Sequence, residues 1–348
     1  MKLSSKTSRI ARFAFGQLGV ISLIAVSIPS LHAQPSSPRF YVALTKVQYL
    51  GFEAYRLTNG RTEAVIVPAL GRVMRYALVG GENQLWNSKV SATKAGQWSN
   101  WGGDKSWPAP QSQWPLSIGH EWPPHTSWDG KPYMTTLLPN KRLRIVSGVW
   151  PRLGCRVIRE FSFDANGEFV IAQTYEKMSG PPCQIAIWNI TQVGTPQAIF
   201  VEASPDSAYK GGFHWLTKPK DRHNVSFVGT SLLRIEPNSR EMFKIGVDSP
   251  IACVGVVNDR VAFVQRAARP KGRYPDGAEG NGFPVEIFDI GGTGNGHYME
   301  TELLSPLRSF YVGTRWTHSV RWKLVALNKQ DEASDFTNEI RVLLDSAD

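Results

Sequence analysis

The sequence predicts an all-β protein, a large antiparallel β-sandwich, and three observations carry that reading. Short runs rich in Val, Ile, Phe, Tyr and Thr recur along the chain, several of them alternating polar with apolar residues. Gly, Pro, Asn and Asp punctuate them, as turns require. Helical periodicity is nearly absent, so sheets stacked face to face must bury the apolar faces, not alternating strands and helices. No repeat of fixed period appears, which disfavours a propeller.

Taken in order, residues 1–33 have the pattern of a secretory signal. Lys2, Lys6, Arg9 and Arg12 precede an apolar run from Phe13 to Ile28, and small and polar residues lead to Ala33. The run is short for an uncleaved membrane anchor, and no later segment reaches the ~18 apolar residues of a span. The expectation is an exported chain, periplasmic or secreted, with a single domain over 34–348 and no membrane span after cleavage. Strand runs then follow at 40–45, 52–57, 64–67, 73–78, 143–146, 157–163, 169–175, 184–193, 198–201, 254–257, 261–264, 285–290 and 320–327. Turn signals separate many of them, and Asn166-Gly167 between two alternating runs marks a hairpin. One amphipathic helix is expected in the tail, where Ser334 can cap a stripe of Phe336, Ile340 and Leu343/Leu344.

Residues 95–135 resist strand assignment. They hold six prolines and six of the chain's 12 tryptophans, and with Trp86 seven indoles fall within 43 residues. A long irregular stretch inside a folded domain usually serves function. The alternative is that it plugs one mouth of the sandwich as ordinary core.

Composition excludes several classes. The chain has 348 residues, 42% hydrophobic and 20% charged, which suits a globular protein and not a disordered one. The net charge of +10 is partly the leader's, and the other basic residues are scattered, with only a short Lys218/Lys220/Arg222 cluster. A nucleic-acid footprint would be a stripe or patch, so no nucleic-acid partner is expected. Cys155, Cys183 and Cys253 match no metal-ligand spacing and read as buried thiols; no metal and no cofactor is expected. No Gly-x-Ser-x-Gly elbow, phosphate loop or His-Glu-x-x-His string appears.

Three clusters can carry chemistry. A sugar presents apolar C–H faces and a rim of hydroxyls, so its site needs flat aromatic faces beside amides, carboxylates and cations. The stretch from Asn100 to Gln111 supplies Trp101, Asp104, Lys105, Trp107 and Gln111. A second cluster is Tyr274-Pro275-Asp276-Gly277, with Glu286 on the strand that follows. In the third, Tyr298, Glu300 and Glu302 share one strand face, opposite Met299, Thr301 and Leu303. Two carboxylates stacked that way raise one pKa unless a cation sits between them, an arrangement suited to acid–base work. Gln192, Lys244 and His318 are weaker candidates, since a lone polar residue on a strand is more often structural.

These strings also carry a resemblance. Val67-Pro68-Ala69-Leu70-Gly71-Arg72-Val73 followed by Gly80-Gly81-Glu82-Asn83-Gln84-Leu85-Trp86 resembles the opening of galactose mutarotase-like proteins. Trp101-Gly102-Gly103-Asp104-Lys105-Ser106-Trp107-Pro108-Ala109-Pro110-Gln111, the Tyr-Pro-Asp-Gly turn and the late Glu300/Glu302 pair resemble the DUF4380 family of bacterial proteins. The resemblance implies a galactose mutarotase-like supersandwich whose concave sheet binds carbohydrate. Aldose 1-epimerases use a histidine acid and a glutamate base, so it implies Glu300 or Glu302 as base. No histidine segment matches: His120, His125 and His214 stand in other surroundings, which leaves His318 or Lys105 for the acid. Trp101, Asp104, Lys105, Trp107, Gln111, Gln192, Tyr274, Asp276 and Glu286 would position the sugar. Two other classes stay open: a glycosidase or polysaccharide lyase with paired carboxylates such as Asp276 and Glu300, and a non-catalytic structural module of the envelope.

Overall fold

The computed structural model describes residues 41–88, 98–117, 119, 122–278 and 281–327. The leader, His120 and the tail helix expected near Ser334 lie outside them. The described chain forms two large sheets. The first runs β1 (Ala43–Tyr49), β2 (Phe52–Thr58), β3 (Thr62–Val67), β4 (Arg72–Leu78), β5 (Asp104–Ala109), β10 (Cys183–Val193), β19 (Met299–Leu304), β18 (Val285–Asp289), β15 (Phe243–Val247) and β12 (Phe213–Thr217). The short β20 (Arg308–Phe310) also pairs with β10. The second runs β13 (Val225–Val228), β14 (Leu232–Ile235), β11 (Ala198–Glu202), β16 (Cys253–Asn258), β17 (Val261–Ala267), β21 (Arg315–Ala326), β9 (Phe169–Lys177), β8 (Cys155–Phe163), β7 (Arg142–Val146) and β6 (Met134–Leu138). Neighbouring strands are antiparallel, as in the β8–β9 hairpin turned by Asn166-Gly167.

Alternation sorts each strand's side chains. Val73 and Tyr76 of β4, Ile245 of β15 and Ile287 of β18 meet Ile171 of β9, Phe263 of β17 and Trp322 of β21 in one continuous core. Tyr76 shows how tightly the sheets join. Its ring packs 5.1–5.6 Å from Phe169, Phe263 and Trp322, and its hydroxyl donates to the Trp322 carbonyl at 2.9 Å. Each such ring contributes about 1.5–3 kcal/mol by leaving water.

The expected runs overlap observed strands, with one correction. The Trp/Pro-rich stretch holds β5, in the middle of the first sheet. Pro108 hides it, because proline cannot donate to a ladder. The structure tolerates Pro108 because β4 borders β5 only at Val73↔Asp104, leaving that edge open beyond it. The Pro108 carbonyl on that edge takes the Trp114 indole N–H at 2.8 Å.

Cys155 of β8 and Cys183 of β10, both free, approach each other from the two sheets, the Cys155 thiol donating a hydrogen bond to the Cys183 sulfur, with Lys177 Nζ 3.8 Å from Cys183 Sγ. That hydrogen bond, helped by the lysine, brings the Cys183 pKa down to about 7, while the same bond and burial push Cys155 up. Cys155 and Cys253 have no exposed surface. Iodoacetamide at pH 8 should therefore alkylate Cys183 first in the native protein, with the other two reacting only on unfolding. Peptide mapping that found Cys253 labelled as fast would contradict this environment.

Candidate functional site

The faces of the central strands are fixed by what each residue touches. On β5, Asp104 pairs with Arg159 of β8 and Ser106 Oγ lies 2.9 Å from the Tyr175 hydroxyl of β9, so even-numbered residues point at the second sheet. On β10, Asn189 and Thr191 donate to the same Asp104 carboxylate at 2.6 and 2.9 Å. On β19, Thr301 accepts from Gln265 of β17 at 2.8 Å. The alternate residues must project from the other, outer face. There the register aligns two rows: Lys105–Ile190–Glu302–Glu286–Gly246 and Gln192–Glu300–Phe288–Lys244–Thr217.

A cavity of about 350 Å³ opens over this face, lined by Lys105, Trp107, Trp188, Gln192, Lys244, Glu300 and Glu302, with Trp98, Trp122 and Tyr298 among its walls. Trp107 is 5.4 Å from Trp122 and 5.8 Å from Trp188, both edge to face, and Trp122 lies 4.8 Å from Trp98. One buried carboxylate holds two of these indoles. Asp129 accepts Trp98 Nε1 at 3.1 Å and Trp107 Nε1 at 3.0 Å, and takes both its oxygens 2.7 Å from Arg72 Nη2. Arg72 in turn donates to the Gly102 carbonyl at 2.7 Å. Gly102 and Gly103 both have positive φ, and a Cβ on either would come within 2.1–2.3 Å of the Trp86 or Val73 carbonyl oxygen, so the string needs both glycines.

Two lysines divide the acids. Lys105 Nζ is 3.0 Å from Glu300, which also accepts Gln192 Nε2 at 2.8 Å. Lys244 Nζ is 2.6 Å from Glu286 and 2.9 Å from Glu302, and Glu302 accepts Trp188 Nε1 at 2.7 Å. Asp276 adds a third acid to the field of Lys244. Each ammonium also sits over an indole, Lys105 4.4 Å from the Trp107 centroid and Lys244 4.6 Å from that of Trp188. Burial raises the pKa of Glu286, Glu302 and Asp276 against the pull of Lys244. Burial lowers that of Lys105 more than Glu300 restores. On Lys244 the acids together outweigh burial and raise it. The cavity thus offers charge-assisted donors and acceptors beside flat apolar rings, with buried groups able to exchange protons.

The sequence candidates divide. Lys105, Trp107, Gln111, Gln192, Glu300 and Glu302 line this cavity. Tyr274 and Asp276 line an adjoining hollow, and Glu286 lies fully buried under Lys244. Three do not reach it. Asp104 is on the opposite face of β5, fully buried and saturated by Arg159, Asn189 and Thr191. Trp101 packs edge to face on Phe52, 5.5 Å away, in a separate apolar cluster. His318 is on β21, in the inward-facing row with Val320 and Trp322, and burial there lowers its pKa to about 4. Lys244, a weaker candidate by sequence, is central. Trp98, Trp122 and Asp129 carried no separate signal beyond the density of indoles around them, and Trp188, outside that stretch, carried none.

No family model matches the chain, and no curated protein does. Solved structures do. A candidate aldose 1-epimerase of Klebsiella pneumoniae superposes with a TM-score of 0.55 at 9% identity, over 88% of this chain and 87% of its own. A candidate mutarotase of Salmonella typhimurium gives 0.52 at 11%, over 82% and 97%. An aldose epimerase homologue from C. elegans gives 0.51 at 9%, over 83% and 100%. At such identities the likeness is one of fold: the described chain is a galactose mutarotase-like β-sandwich.

Lys244→Met tests the charge balance. Removing one partner of a buried ion pair costs about 3–5 kcal/mol, because the acids left behind are uncompensated. Their folded pKa values, already raised, rise further without the ammonium. A raised carboxyl favours folding most below its unfolded pKa and loses that advantage as pH climbs through the folded value. The gap in melting temperature between variant and wild type should therefore widen from pH 5 to pH 8, and equal gaps would overturn this account.

Proposed function

We propose that the protein is an exported carbohydrate-binding protein whose outer-face cavity on the first sheet holds a sugar ring. One observation carries the reading: Trp98, Trp107, Trp122 and Trp188 share a cavity with two lysine–carboxylate pairs and Gln192. A pyranose can lay its C–H face on an indole while its hydroxyls bridge each carboxylate to its ammonium. The Trp-Gly-Gly-Asp-Lys-Ser-Trp-Pro-Ala-Pro string supports placing the chain with the DUF4380 proteins, and the fold is one that the aldose epimerase-like neighbours share. The basic, apolar and small-residue leader supports export; the exported form should begin at Gln34 by N-terminal sequencing.

A second reading, aldose epimerisation, is favoured by the Lys105–Glu300 contact. Lys105, its proton loosened by burial, would give that proton to the ring oxygen as Glu300 or Glu302 took the proton of the anomeric hydroxyl, so that the C1–O5 bond breaks and an open-chain aldehyde forms, and the reverse transfers would close the ring on its other face. Hydrolysis by paired carboxylates fits less well. Of the pair Asp276 and Glu300, Glu300 is engaged by Lys105 and Gln192 in the cavity, while Asp276 lines the adjoining hollow.

A thermal-shift screen of glucose, galactose, mannose, rhamnose, glucosamine and glucuronate checks binding. A ligand at a hundred times its Kd stabilises the folded state by about 2.7 kcal/mol. Trp122 is 48% exposed, so Trp122→Ala should keep the fold and weaken the responding sugar about tenfold, or ~1.4 kcal/mol. A well-folded sample that responds to none of the sugars would sink the proposal. NMR of anomer equilibration, wild type against Glu300→Gln, decides the second reading: equal rates leave binding alone.

A further inference from the structure

The sugar cavity has a neighbour. A second hollow of about 520 Å³ adjoins it, walled by Pro110, Leu216, Arg273, Tyr274 and Asp276. Gln111, Trp188 and Lys244 belong to both. Each volume is within the ~300–1,000 Å³ of ordinary ligand pockets.

The shared wall joins the two hollows chemically. Lys244 Nζ holds Glu302 from the first, at 2.9 Å. On its other side it holds Glu286 at 2.6 Å, and its charge also acts on the Asp276 carboxyl of the second. The Trp188 ring lies under Lys244 and donates its N–H to Glu302. Asp276 is set in place by a left-handed backbone, φ +66°, in a loop closed by the Tyr274↔Asn281 bridge and by Phe283 N–H donating to the Pro275 carbonyl at 3.1 Å. The second hollow repeats the mixture of the first: apolar Leu216, Pro110 and Tyr274 beside Asp276 and the exposed cation Arg273.

From this we infer that the adjoining hollow is a second saccharide subsite and that the ligand is an oligosaccharide of at least two rings, with its linkage passing over Trp188 and Lys244. The inference rests on the carbohydrate reading above and extends it. Two separate monosaccharides would compete for Gln111 and Lys244, whereas one ligand crossing the wall uses each once. It also loses its translational freedom only once, so the second ring adds affinity at lower cost.

Calorimetry with matched pairs tests it: glucose with cellobiose and maltose, galactose with β-1,4-galactobiose, mannose with β-1,4-mannobiose. At least one disaccharide should bind about tenfold or more tightly than its monosaccharide. Arg273→Ala, a change at an exposed position, should bring that ratio close to one. A monosaccharide that binds as tightly as all its disaccharides removes the second subsite and leaves the carbohydrate reading intact. A ratio unchanged in Arg273→Ala also removes it as drawn. Binding by none of these sugars removes both.

Discussion

The Asp104 carboxylate lies between the sheets with no exposed surface and meets Arg159 across the gap, while Asn189 and Thr191 of the adjacent strand donate to its other oxygen. Arg159 also donates to the carbonyls of Gly71 and Asp104. Burial raises the Asp104 pKa, against these partners, so an incomplete partner set would leave a costly group inside the core. That penalty is a register device. A one-residue slip of β5 against β10 would carry Asp104 to the outer face and bring Lys105 inward. With the register held, Lys105 and Trp107 can only project outward, and Trp188 and Gln192 of β10 project beside them.

The outer face depends on a second buried acid used in the opposite way. Asp129 takes Arg72 and two indole N–H groups, so its charge orients rings and not a strand. The same arginine ties the Gly102 turn that leads into β5. Strand register and aromatic wall therefore meet within a few residues, which explains why glycine, charge and tryptophan are so dense between Trp98 and Trp107. The acids around the two lysines follow a different logic. Four carboxyl groups, Asp276, Glu286, Glu300 and Glu302, face two ammonium groups, and burial raises three of them toward the protonated form. A site of this kind can present a carboxylic acid, a carboxylate and an ammonium within one ring's width.

Much of this was legible from sequence wherever alternation alone decides. Glu300 and Glu302 share a face opposite Thr301 because β-strands have a period of two. Alternation cannot say which face looks inward, and that is why Asp104 and His318 read as site residues. Asp104 stands among glycines, tryptophans and prolines that look like a loop, and the inward direction of its side chain follows from Arg159, 55 residues later. His318 lies on a strand whose partners are 143 or more residues away in the sequence for some pairs, and only the second sheet's position makes it core. Lys244 read as ordinary because its importance comes from acids on two other strands. Asp129 follows Trp128 in a stretch with no period at all, and its partners Arg72, Trp98 and Trp107 come together only when β4 and β5 are paired.

The absence of a histidine from the described cavity lining bears on chemistry. An imidazole can hold or release a proton near neutrality without special surroundings. A lysine and a cluster of carboxyl groups reach that range only when burial depresses the one and elevates the others. The cavity provides both shifts, with Lys105 lowered and Glu302 raised on the same face. Those shifts weaken as soon as water enters, since solvation restores the charged forms. The shifts therefore depend on the indole wall that keeps the lining residues out of bulk water. The aromatic set and the titratable set are then one device: the rings that wall the cavity also create the low-dielectric surroundings that shift the lysine and the glutamate in opposite directions.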